Sequence, residues 1–428
     1  MKNNITVIGL GYVGLPLAIA LAKHHKVIGY DINRNRVKQL TEGLDTTGEI
    51  LESELVDSDI SFTSKIEDFV TSDTYIITVP TPVDVNSEPD LSALENASLL
   101  VGKLLCPGNI VIYESTVYPG CTEEVCLPIL ENESKMELGE FYLGYSPERI
   151  NPADKTHTLQ NTVKVVSGHS DEALQKIARL YEYIIEAGVH RAQSIKVAEA
   201  TKIIENIQRD VNIALMNEFS RLLRIEGIDT SQVIDAASTK WNFLRFVPGL
   251  VGGHCIGIDP YYMIHRAKAH SASAPLITLA RQVNNDVSTQ VAGEVNKLMK
   301  SEDNQAENRK RILCLGVTFK ENCPDYRNTK VVDMIINLKK YGYEVDVYDP
   351  VVEQYSFERE YGIKLLTRLP DTSYDAIVCA VAHIQFRRLS EEKIFDLLGN
   401  DEKNLLADLK GAFKFLKKSN KFTNTFQL

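Results

Sequence analysis

The sequence predicts an α/β protein with two Rossmann-like, doubly wound domains joined by a long central helix and a helical middle region. Three observations lead to this prediction. Apolar strands alternate with helical runs at both ends of the chain, which is typical of doubly wound parallel sheets. The middle of the chain instead contains one long run of helix-forming residues without Gly or Pro. The length of 428 residues agrees with about three domains at roughly 150 residues each.

The chain opens with a βαβ unit. A short apolar run at residues 5–8 is followed by a glycine-rich turn at 9–14 and a helix-forming run, LPLAIALAKH. A second strand, at 27–30, ends at Asp31. This order of strand, glycine turn, helix, strand and acid is typical of a dinucleotide-binding unit.

Later segments complete the predicted organisation. Strands at 75–79 and 110–113 extend the first sheet, and we assign residues 1–194 to this N-terminal domain. A helix over 195–225 opens a helical region that we assign to residues 195–300. The polar stretch at 301–311 then leads into a second α/β pattern, assigned to residues 301–428. Its strands and helix are predicted at 312–315, 330–340, 345–349 and 376–380.

Composition excludes several classes of protein. Lys plus Arg is 47 and Asp plus Glu is 58, so the formal net charge is −11, which argues against nucleic-acid or anionic-membrane binding. The seven cysteines are scattered and form no CxxC pair, which favours a reducing cytoplasm over a disulfide framework or a metal site. The nearly uncharged stretch at 5–22 contains three glycines and Pro16, so we interpret it as a strand and a helix and not as a membrane or signal segment.

The glycine turn predicts a nucleotide cofactor. In the fingerprint, Gly9 permits the tight turn, Gly11 lets a pyrophosphate approach the backbone, and Gly14 allows close packing of helix and strand. Asp31 lies 17 residues after Gly14, at the position that accepts hydrogen bonds from ribose hydroxyls and repels a 2′-phosphate. NAD is therefore favoured over NADP, although two nearby arginines, Arg34 and Arg36, leave NADP open. The alternative is a glycine-rich turn without a ligand.

A second glycine-rich segment, at 248–260, contains Cys255 four residues before Asp259. A cysteine in such a turn is a candidate nucleophile, because thiolate chemistry needs close backbone approach and local control of the thiol pKa. The alternative interpretation is a small buried apolar side chain.

The long helix carries a polar pattern. Lys202, Asn206 and Arg209 are spaced i, i+4 and i+7, which places two cations and an amide on one stripe. The functional hypothesis is a site for anions and hydroxyls, with Lys202 stabilising a developing oxyanion. The alternative is a solvated helix face.

Loops that follow the predicted strands contain further candidates. Thr81 and Thr116 lie where strand ends line the ligand crevice of such a fold. Glu148 and Arg149 are adjacent and provide an acid and a guanidinium. Each of these residues is equally compatible with a turn or a surface pair.

Together these segments resemble the UDP-sugar 6-dehydrogenases, the family of UDP-glucose dehydrogenase. The resemblance covers nearly the whole chain and rests on GLGYVGLP, VPTP, ESTVYPG, SPERINP, EATKIIENIQRDVNIA, GGHCIGIDPYY and GVTFKENCPDYRNT. Two details, His254 and SPERINP, resemble the branch that oxidises UDP-N-acetylhexosamines, and two departures from the glucose enzymes, at Pro152 and Ile258, argue against UDP-glucose. His254 stands where the glucose enzymes carry Ser, Pro152 replaces their second glutamate, and Ile258 replaces their lysine.

The resemblance implies a four-electron oxidation of the sugar C6 alcohol to a carboxylate with two NAD. Cys255 would attack the bound aldehyde to give a thiohemiacetal, and the second hydride transfer would leave a thioester for water to hydrolyse. Lys202 would donate or accept the proton and stabilise the oxyanion, and Asp259 and Asn206 would assist with water and alkoxide. Glu148 would be a water-activating or acid/base residue.

The resemblance also implies the binding residues and partners. Besides the three glycines, the NAD contacts carried over are Tyr12, Val13, Asp31, Arg36, Thr81, Thr116 and Arg327. The UDP-sugar contacts carried over are Arg149, Ile150, Lys202, Asn206, Arg209, Gly253 and Lys320. The long helix would form the core of a homodimer, the C-terminal domain would bind the UDP group, and the product would serve capsule or O-antigen synthesis.

Three other functions stay open at this point. UDP-glucose 6-dehydrogenation uses the same chemistry on a different sugar. A two-electron β-hydroxyacid dehydrogenase shares the first domain and the helical region but needs neither Cys255 nor a second α/β domain. A non-catalytic NAD-binding protein is the third. Among N-acetylhexosamines, the gluco, galacto and manno forms differ at single carbons, and the sequence does not separate them.

Overall fold

The structure is a computed structural model and describes residues 3–69, 72–149, 156–300, 310–399, 401, 403–418, 422 and 424–428. The chain forms two compact units. The first comprises Met1–Asn206 and Tyr261–Ser273, and the second comprises Ile207–Pro260 and Ala274–Leu428. None of the helices in the described ranges is long and apolar enough to cross a membrane.

The first unit is built on an eight-stranded sheet. Its elements up to the fifth strand are β1 (Asn4–Ile8), α1 (Gly14–Ala22), β2 (Lys26–Tyr30), α2 (Arg34–Thr41), α3 (Glu52–Val56), β3 (Ile60–Thr63), β4 (Thr74–Ile77), α4 (Ser92–Gly102) and β5 (Ile110–Tyr113). The next are α5 (Leu127–Ser134), β6 (Tyr142–Tyr145), β7 (Lys164–Gly168), α6 (Asp171–Glu182) and β8 (Val189–Arg191). The sheet order is β3-β2-β1-β4-β5-β6-β7-β8. Neighbouring strands are parallel except β6 and β7, which are antiparallel.

Burial explains why α1 is apolar around nearly its whole circumference. Eight of its nine residues are buried, and Leu15 and Leu21 join Ile5 and Val7 of β1 in one core cluster. A helix of this kind needs protein on most sides. The nearly uncharged stretch at 5–22 is therefore a core strand and a core helix, as the sequence predicted.

Four helices form the middle of the chain. They are α7 (Ile195–Ile225), α8 (Thr230–Ala237), α9 (Asp259–Ala269) and α10 (Pro275–Met299). The 31 residues of α7 contain no Gly or Pro, so nothing in the sequence interrupts the helix. In the second unit, α7 packs on α10 through a buried ion pair of 2.5 Å between Asp210 and Arg281. Asn217 donates to Asn284 nearby at 2.8 Å.

The second unit contains a five-stranded parallel sheet. Its elements are β9 (Arg311–Leu315), α11 (Lys330–Lys340), β10 (Glu344–Tyr348), α12 (Gln354–Tyr361), β11 (Ala376–Cys379), α13 (Ile384–Arg387), α14 (Glu391–Leu398), β12 (Leu405–Asp408) and β13 (Thr425–Phe426). The sheet order is β10-β9-β11-β12-β13. The order reverses direction between β9 and β11, which makes this junction the switch point where ligands bind in such sheets.

The predicted fold class is confirmed, with two doubly wound sheets and a long central helix. The helix predicted at 195–225 has these bounds in the structure. One detail was wrong, because the first sheet is mixed: β7 runs antiparallel to β6. The edge strand β8 was not predicted, because its three residues lack the apolar run that identifies a buried strand. Most of the polar stretch at 301–311 lies outside the described residues.

Candidate active site

The glycine turn of the first unit leaves open space over one glycine only. A Cβ on Gly14 would lie 1.9 Å from the carbonyl oxygen of Gly9, and Gly9 has a φ of +95°. Both positions therefore need glycine for the chain to turn and pack. A Cβ on Gly11 would meet nothing within 4 Å, so the backbone there is open to a ligand.

The N-terminus of α1, next to Gly11, is suited to binding an anionic ligand. Val13 occupies the N-cap position without a side-chain hydrogen bond, and the first turn carries no acid. Tyr12 precedes it and is half-buried. An uncapped helix start offers backbone N–H groups to an anion. Together with the open space over Gly11, this geometry fits the diphosphate of a dinucleotide.

Asp31 and Arg36 hold the turn itself. The Leu10 N–H donates to Oδ2 of Asp31 at 2.9 Å, and Nε of Arg36 donates to the Leu10 carbonyl at 2.9 Å. Arg36 is buried and pairs with Asp45 at 2.8 Å. Its guanidinium thus stabilises the turn from within the protein. Each carboxylate oxygen can accept two hydrogen bonds. Asp31 can therefore accept hydrogen bonds from ribose hydroxyls in addition to the one from the Leu10 N–H.

Thr81 and Thr116 lie together at the carboxyl edge of the sheet. The Thr81 hydroxyl donates to the Thr116 carbonyl at 2.7 Å, and the Tyr262 hydroxyl donates to the Thr81 carbonyl at 2.7 Å. The two threonines follow β4 and β5, and β1 and β4 form the switch point of this sheet. Strand connections there line the ligand crevice.

Glu148 is a buried carboxyl group with unusual electrostatics. It is 5% exposed, and among the described residues its Oε1 has no hydrogen-bond partner. Burial raises the pKa of Glu148 to about 7, against the opposing effect of the ammonium groups of Lys202 and Lys164. A carboxyl group with a pKa near neutrality suits general acid/base chemistry.

A buried ion pair adjoins Glu148. Nζ of Lys164 lies 2.7 Å from Glu114 and donates to the Pro147 carbonyl at 3.2 Å. The Tyr181 hydroxyl donates to the other Glu114 oxygen. Lys164 therefore anchors the backbone one residue before Glu148, which was not predicted from the sequence because Lys164 follows no motif.

The polar stripe on α7 is largely buried. Lys202 is 4% exposed and Asn206 is 2% exposed, and Ile203 shares their buried side. The solvated-face alternative is therefore wrong for these two residues. Arg209, by contrast, is exposed.

Arg149 is anchored on the same helix. Its Nη2 lies 2.5 Å from Oε2 of Glu205. The next predicted substrate contact, Ile150, lies outside the described residues, as does Pro152.

The cysteine loop of the second unit is shaped by two glycines. A Cβ on Gly252 would lie 2.6 Å from the Asn328 carbonyl, and a Cβ on Gly253 would lie 2.9 Å from the Phe319 ring. Glycine at both positions therefore lets the loop lie against the segment after β9. Cys255 is half-buried, and its carbonyl accepts the N–H of Asp259 at 2.9 Å. This bond starts α9 and places the thiol just before the helix.

One carboxylate connects this loop to the segment after β9. Nε2 of His254 lies 3.4 Å from Oδ2 of Asp325. Nε and Nη2 of Arg327 donate hydrogen bonds to the two carboxylate oxygens of Asp325, at 3.0 and 2.7 Å. Burial by itself would raise the pKa of Asp325, but the bonds from His254 and Arg327 outweigh burial and lower it. Asp325 therefore stays ionised and orients Arg327, a predicted NAD contact. Asp325 was not predicted from the sequence.

A cavity of about 180 Å³ lies at the switch point of the second sheet. Segments that follow β9, β11 and β12 line it, including Thr318, Lys320, Val381 and Lys410. Burial lowers the pKa of Lys410, and Glu321 opposes that effect. A Cβ on Gly249 would lie 2.0 Å from Nζ of Lys410, so glycine leaves room for this ammonium group. Three lysines line the cavity, Lys320, Lys330 and Lys410, and such a group of cations suits a diphosphate.

Three family models match successive parts of the chain. Residues 3–185 match the NAD binding domain of the UDP-glucose/GDP-mannose dehydrogenase family, residues 196–286 match its central domain, and residues 313–415 match its UDP binding domain. The chain belongs to the UDP-glucose/GDP-mannose dehydrogenase family. The resemblance noted in the sequence is thereby confirmed, as are NAD as the cofactor and membership of an oxidoreductase family.

Several relatives of this dehydrogenase family match along the whole chain. A UDP-N-acetyl-D-glucosamine 6-dehydrogenase from Pseudomonas aeruginosa is 48% identical over 413 residues, covering 96% of this chain and 97% of the relative. Protein CapL from Staphylococcus aureus is 47% identical, with 92% and 93% covered. The solved structure of a UDP-D-ManNAc dehydrogenase from Pyrococcus horikoshii superposes with a TM-score of 0.87 at 30% identity, with 99% and 98% covered.

Within the dehydrogenase family domains, the predicted residues divide as follows. The glycine turn, Glu148 and Arg149 fall in the NAD binding domain. Lys202, Asn206, Arg209, Cys255 and Asp259 fall in the central domain, and Lys320 and Arg327 fall in the UDP binding domain. Lys410 was not predicted from the sequence, although a lysine two residues after the apolar strand LLAD was a usable signal.

Proposed function

We propose that this protein oxidises the C6 hydroxyl of a UDP-N-acetylhexosamine to a carboxylate in two two-electron steps, each reducing one NAD. The observation that carries the proposal is the 48% identity over 413 residues to a UDP-N-acetyl-D-glucosamine 6-dehydrogenase. Cys255, in its glycine-constrained loop, supports the four-electron reaction, because a covalent bond retains the aldehyde between the two oxidations.

In this proposal the side chains act on the sugar as follows. Bound NAD supplies the hydride acceptor in both oxidations. The Cys255 sulfur bonds to the aldehyde carbon, and the resulting thiohemiacetal loses a hydride and its hydroxyl proton to become a thioester. Water then adds to the thioester carbonyl, the carbon–sulfur bond breaks, and the uronic acid and the thiol are released.

The buried polar residues provide proton transfer and charge stabilisation. Lys202, a buried cation, stabilises the oxyanion of the tetrahedral intermediates and exchanges the proton of the alcohol. Asn206 and Asp259 assist with alkoxide and water. Glu148 accepts a proton from the hydrolytic water, which its pKa of about 7 permits.

The stoichiometry of NADH tests the reaction. Wild-type protein is expected to form two NADH per sugar consumed, and Cys255→Ala is expected to lose net turnover. Cys106 is the matched control because it is an exposed cysteine outside the predicted site, so Cys106→Ala is expected to retain turnover. One NADH per sugar, together with full activity in Cys255→Ala, would instead indicate a two-electron dehydrogenase.

We propose N-acetylglucosamine as the sugar. Relatives named for N-acetylglucosamine are 48% identical, whereas those named for N-acetylmannosamine are 29 to 33% identical. NADH formation compared among UDP-N-acetylglucosamine, UDP-N-acetylgalactosamine, UDP-N-acetylmannosamine and UDP-glucose decides this point. Faster turnover of any of the other three would refute the assignment.

We also propose a cytoplasmic homodimer that serves surface polysaccharide synthesis. In the second unit, Leu215, Phe219 and Leu222 form an apolar stripe on α7 and are each at least 45% exposed. Leu276 and Leu279 of α10 are also exposed. Exposed apolar stripes of this kind are typical of subunit interfaces. Phe219→Glu is expected to yield a monomer by light scattering, and an unchanged dimer mass would exclude this surface as the interface.

A further inference from the structure

A buried histidine that no predicted site includes lies beside the cavity of the second unit. His383 follows β11 and is fully buried. Its Nε2 lies 3.1 Å from Oδ2 of Asp349 and 3.3 Å from the hydroxyl of Thr318. Its Nδ1 accepts the backbone N–H of Asn322 at 2.9 Å. The ring therefore connects the loop after β11 to the loop after β9.

These bonds fix which ring nitrogen carries the proton. A backbone N–H can only donate, so Nδ1 must present a lone pair to Asn322. In the neutral ring the proton is then on Nε2, directed at Asp349. Burial by itself would raise the pKa of Asp349, but the hydrogen bond and charge of His383 and the backbone N–H groups of Val317 and Val351 together outweigh burial and lower the pKa. Asp349 is thus an ionised acceptor that holds His383 in this tautomer.

The loop after β9 is held at both ends by this arrangement. At its start, the Val317 N–H donates to Oδ2 of Asp349 at 2.7 Å. At its end, Asn322 donates to His383 and accepts the Ile384 N–H at 2.9 Å. Asn322 has a φ of +59°, so these two bonds stabilise a left-handed residue. Between the two ends lies Lys320.

Contacts inside the loop transmit this restraint to Lys320. The Thr318 hydroxyl donates to the Lys320 carbonyl at 2.8 Å, while the same oxygen lies beside His383. Close backbone approach adds to the restraint, since a Cβ on Gly316 would lie 2.5 Å from Val381. Lys320 lines the cavity of about 180 Å³, where two further lysines, Lys330 and Lys410, are also present.

We propose that His383 is a positioning residue that sets the backbone of Lys320 for binding the diphosphate of the nucleotide sugar. The inference rests on the proposed function, in which this cavity takes the UDP group. His383 itself is buried behind the loop and acts through Asn322 and Thr318. Its Nδ1 lone pair is the group that matters, because that atom receives the Asn322 N–H.

Two substitutions separate the two ring nitrogens. His383→Asn keeps an acceptor near the position of Nδ1, whereas His383→Gln keeps a donor near Nε2 and removes the acceptor. Binding of UDP and of NAD is measured by calorimetry on the full chain. We expect His383→Gln to bind UDP about five- to tenfold more weakly, the effect of one lost hydrogen bond. We expect His383→Asn to recover most of this affinity, and both variants to bind NAD like the wild type.

A matched control is available in the first unit. His169 accepts the Leu143 N–H through Nδ1 at 3.1 Å, so His169→Gln removes a bond of the same kind away from the UDP binding domain. It is expected to leave UDP affinity unchanged.

Should His383→Gln not fold, Asn322→Gly provides a second test. This variant keeps the left-handed backbone and removes only the acceptor for the Ile384 N–H. It is expected to weaken UDP binding about threefold.

The outcomes distinguish this inference from the proposed function. If wild-type protein and Lys320→Met bind UDP equally, the assignment of the cavity to UDP fails. If Lys320→Met weakens UDP binding but His383→Gln binds like the wild type, the positioning role of His383 is refuted. Wild-type affinity in Asn322→Gly would refute the step through Asn322, on which that role depends. Equal weakening in His383→Gln and His383→Asn would also refute it, because the effect would then not depend on Nδ1.

Discussion

Replacing Glu148 by Gln is expected to stabilise the protein at alkaline pH and to change its pH–rate profile. The folded-state pKa of Glu148 is raised from 4.5 to about 7, mainly by burial. An acid whose pKa is raised by folding contributes its full stability below pH 4.5, and this contribution is lost as the pH rises through 7. Wild-type protein therefore bears the cost of a buried charge at pH 8, and the neutral amide does not.

The magnitude follows from the size of the shift. With about 1.4 kcal/mol for each tenfold change in the proton equilibrium, the raised pKa costs about 3 kcal/mol at pH 8 and less than about 1 kcal/mol at pH 5. For the first compact unit, which contains Glu148, removing this cost in Glu148→Gln corresponds to a rise in melting temperature of about 5 to 10 °C at pH 8. Calorimetric scans of ligand-free wild type and Glu148→Gln at both pH values measure it.

A surface glutamate provides the control for stability, and the pH dependence of kcat/KM provides a second measurement. Glu95 is exposed on α4, so Glu95→Gln is expected to shift the melting temperature equally at pH 5 and pH 8. In kcat/KM, the wild type is expected to show an acidic limb near pH 7 that Glu148→Gln lacks. A stability difference between Glu148→Gln and wild type that is the same at both pH values would refute the reasoning.

Two further predictions concern ligand binding. Gly14→Ala places a methyl group 1.9 Å from the Gly9 carbonyl oxygen, so it is expected to lower the melting temperature and abolish NAD binding. Gly11→Ala has open space around its methyl group. It is therefore expected to weaken NAD binding without changing the melting temperature. Equal melting temperatures for the two variants would contradict this. Lys410→Met is expected to weaken UDP binding about tenfold, the effect of a lost charge-assisted bond, with NAD binding unchanged. Calorimetric UDP affinity equal to wild type would exclude Lys410 from the site.

The sequence by itself determined the fold class, the family and the cofactor. These depend on patterns that are local in the chain. The turn at Gly9, Gly11 and Gly14 is read from six consecutive residues, and α7 is read from 31 residues without a helix breaker. Steric demands of the backbone act between near neighbours, so motifs and periodicity are sufficient to predict them.

The tertiary structure decided the chemical state of individual side chains. Burial of Glu148 raises its pKa, and the sequence around SPERINP contains no sign of that burial. Burial of Lys202 and Asn206 with Ile203 excluded a solvated stripe that their spacing alone allowed. The partners that define the roles of Lys410 and His383 lie tens of positions away in the sequence, as does His254, one of the two partners of Asp325. Desolvation and hydrogen bonding depend on such distant neighbours, which is the physical reason that only the folded chain defines them.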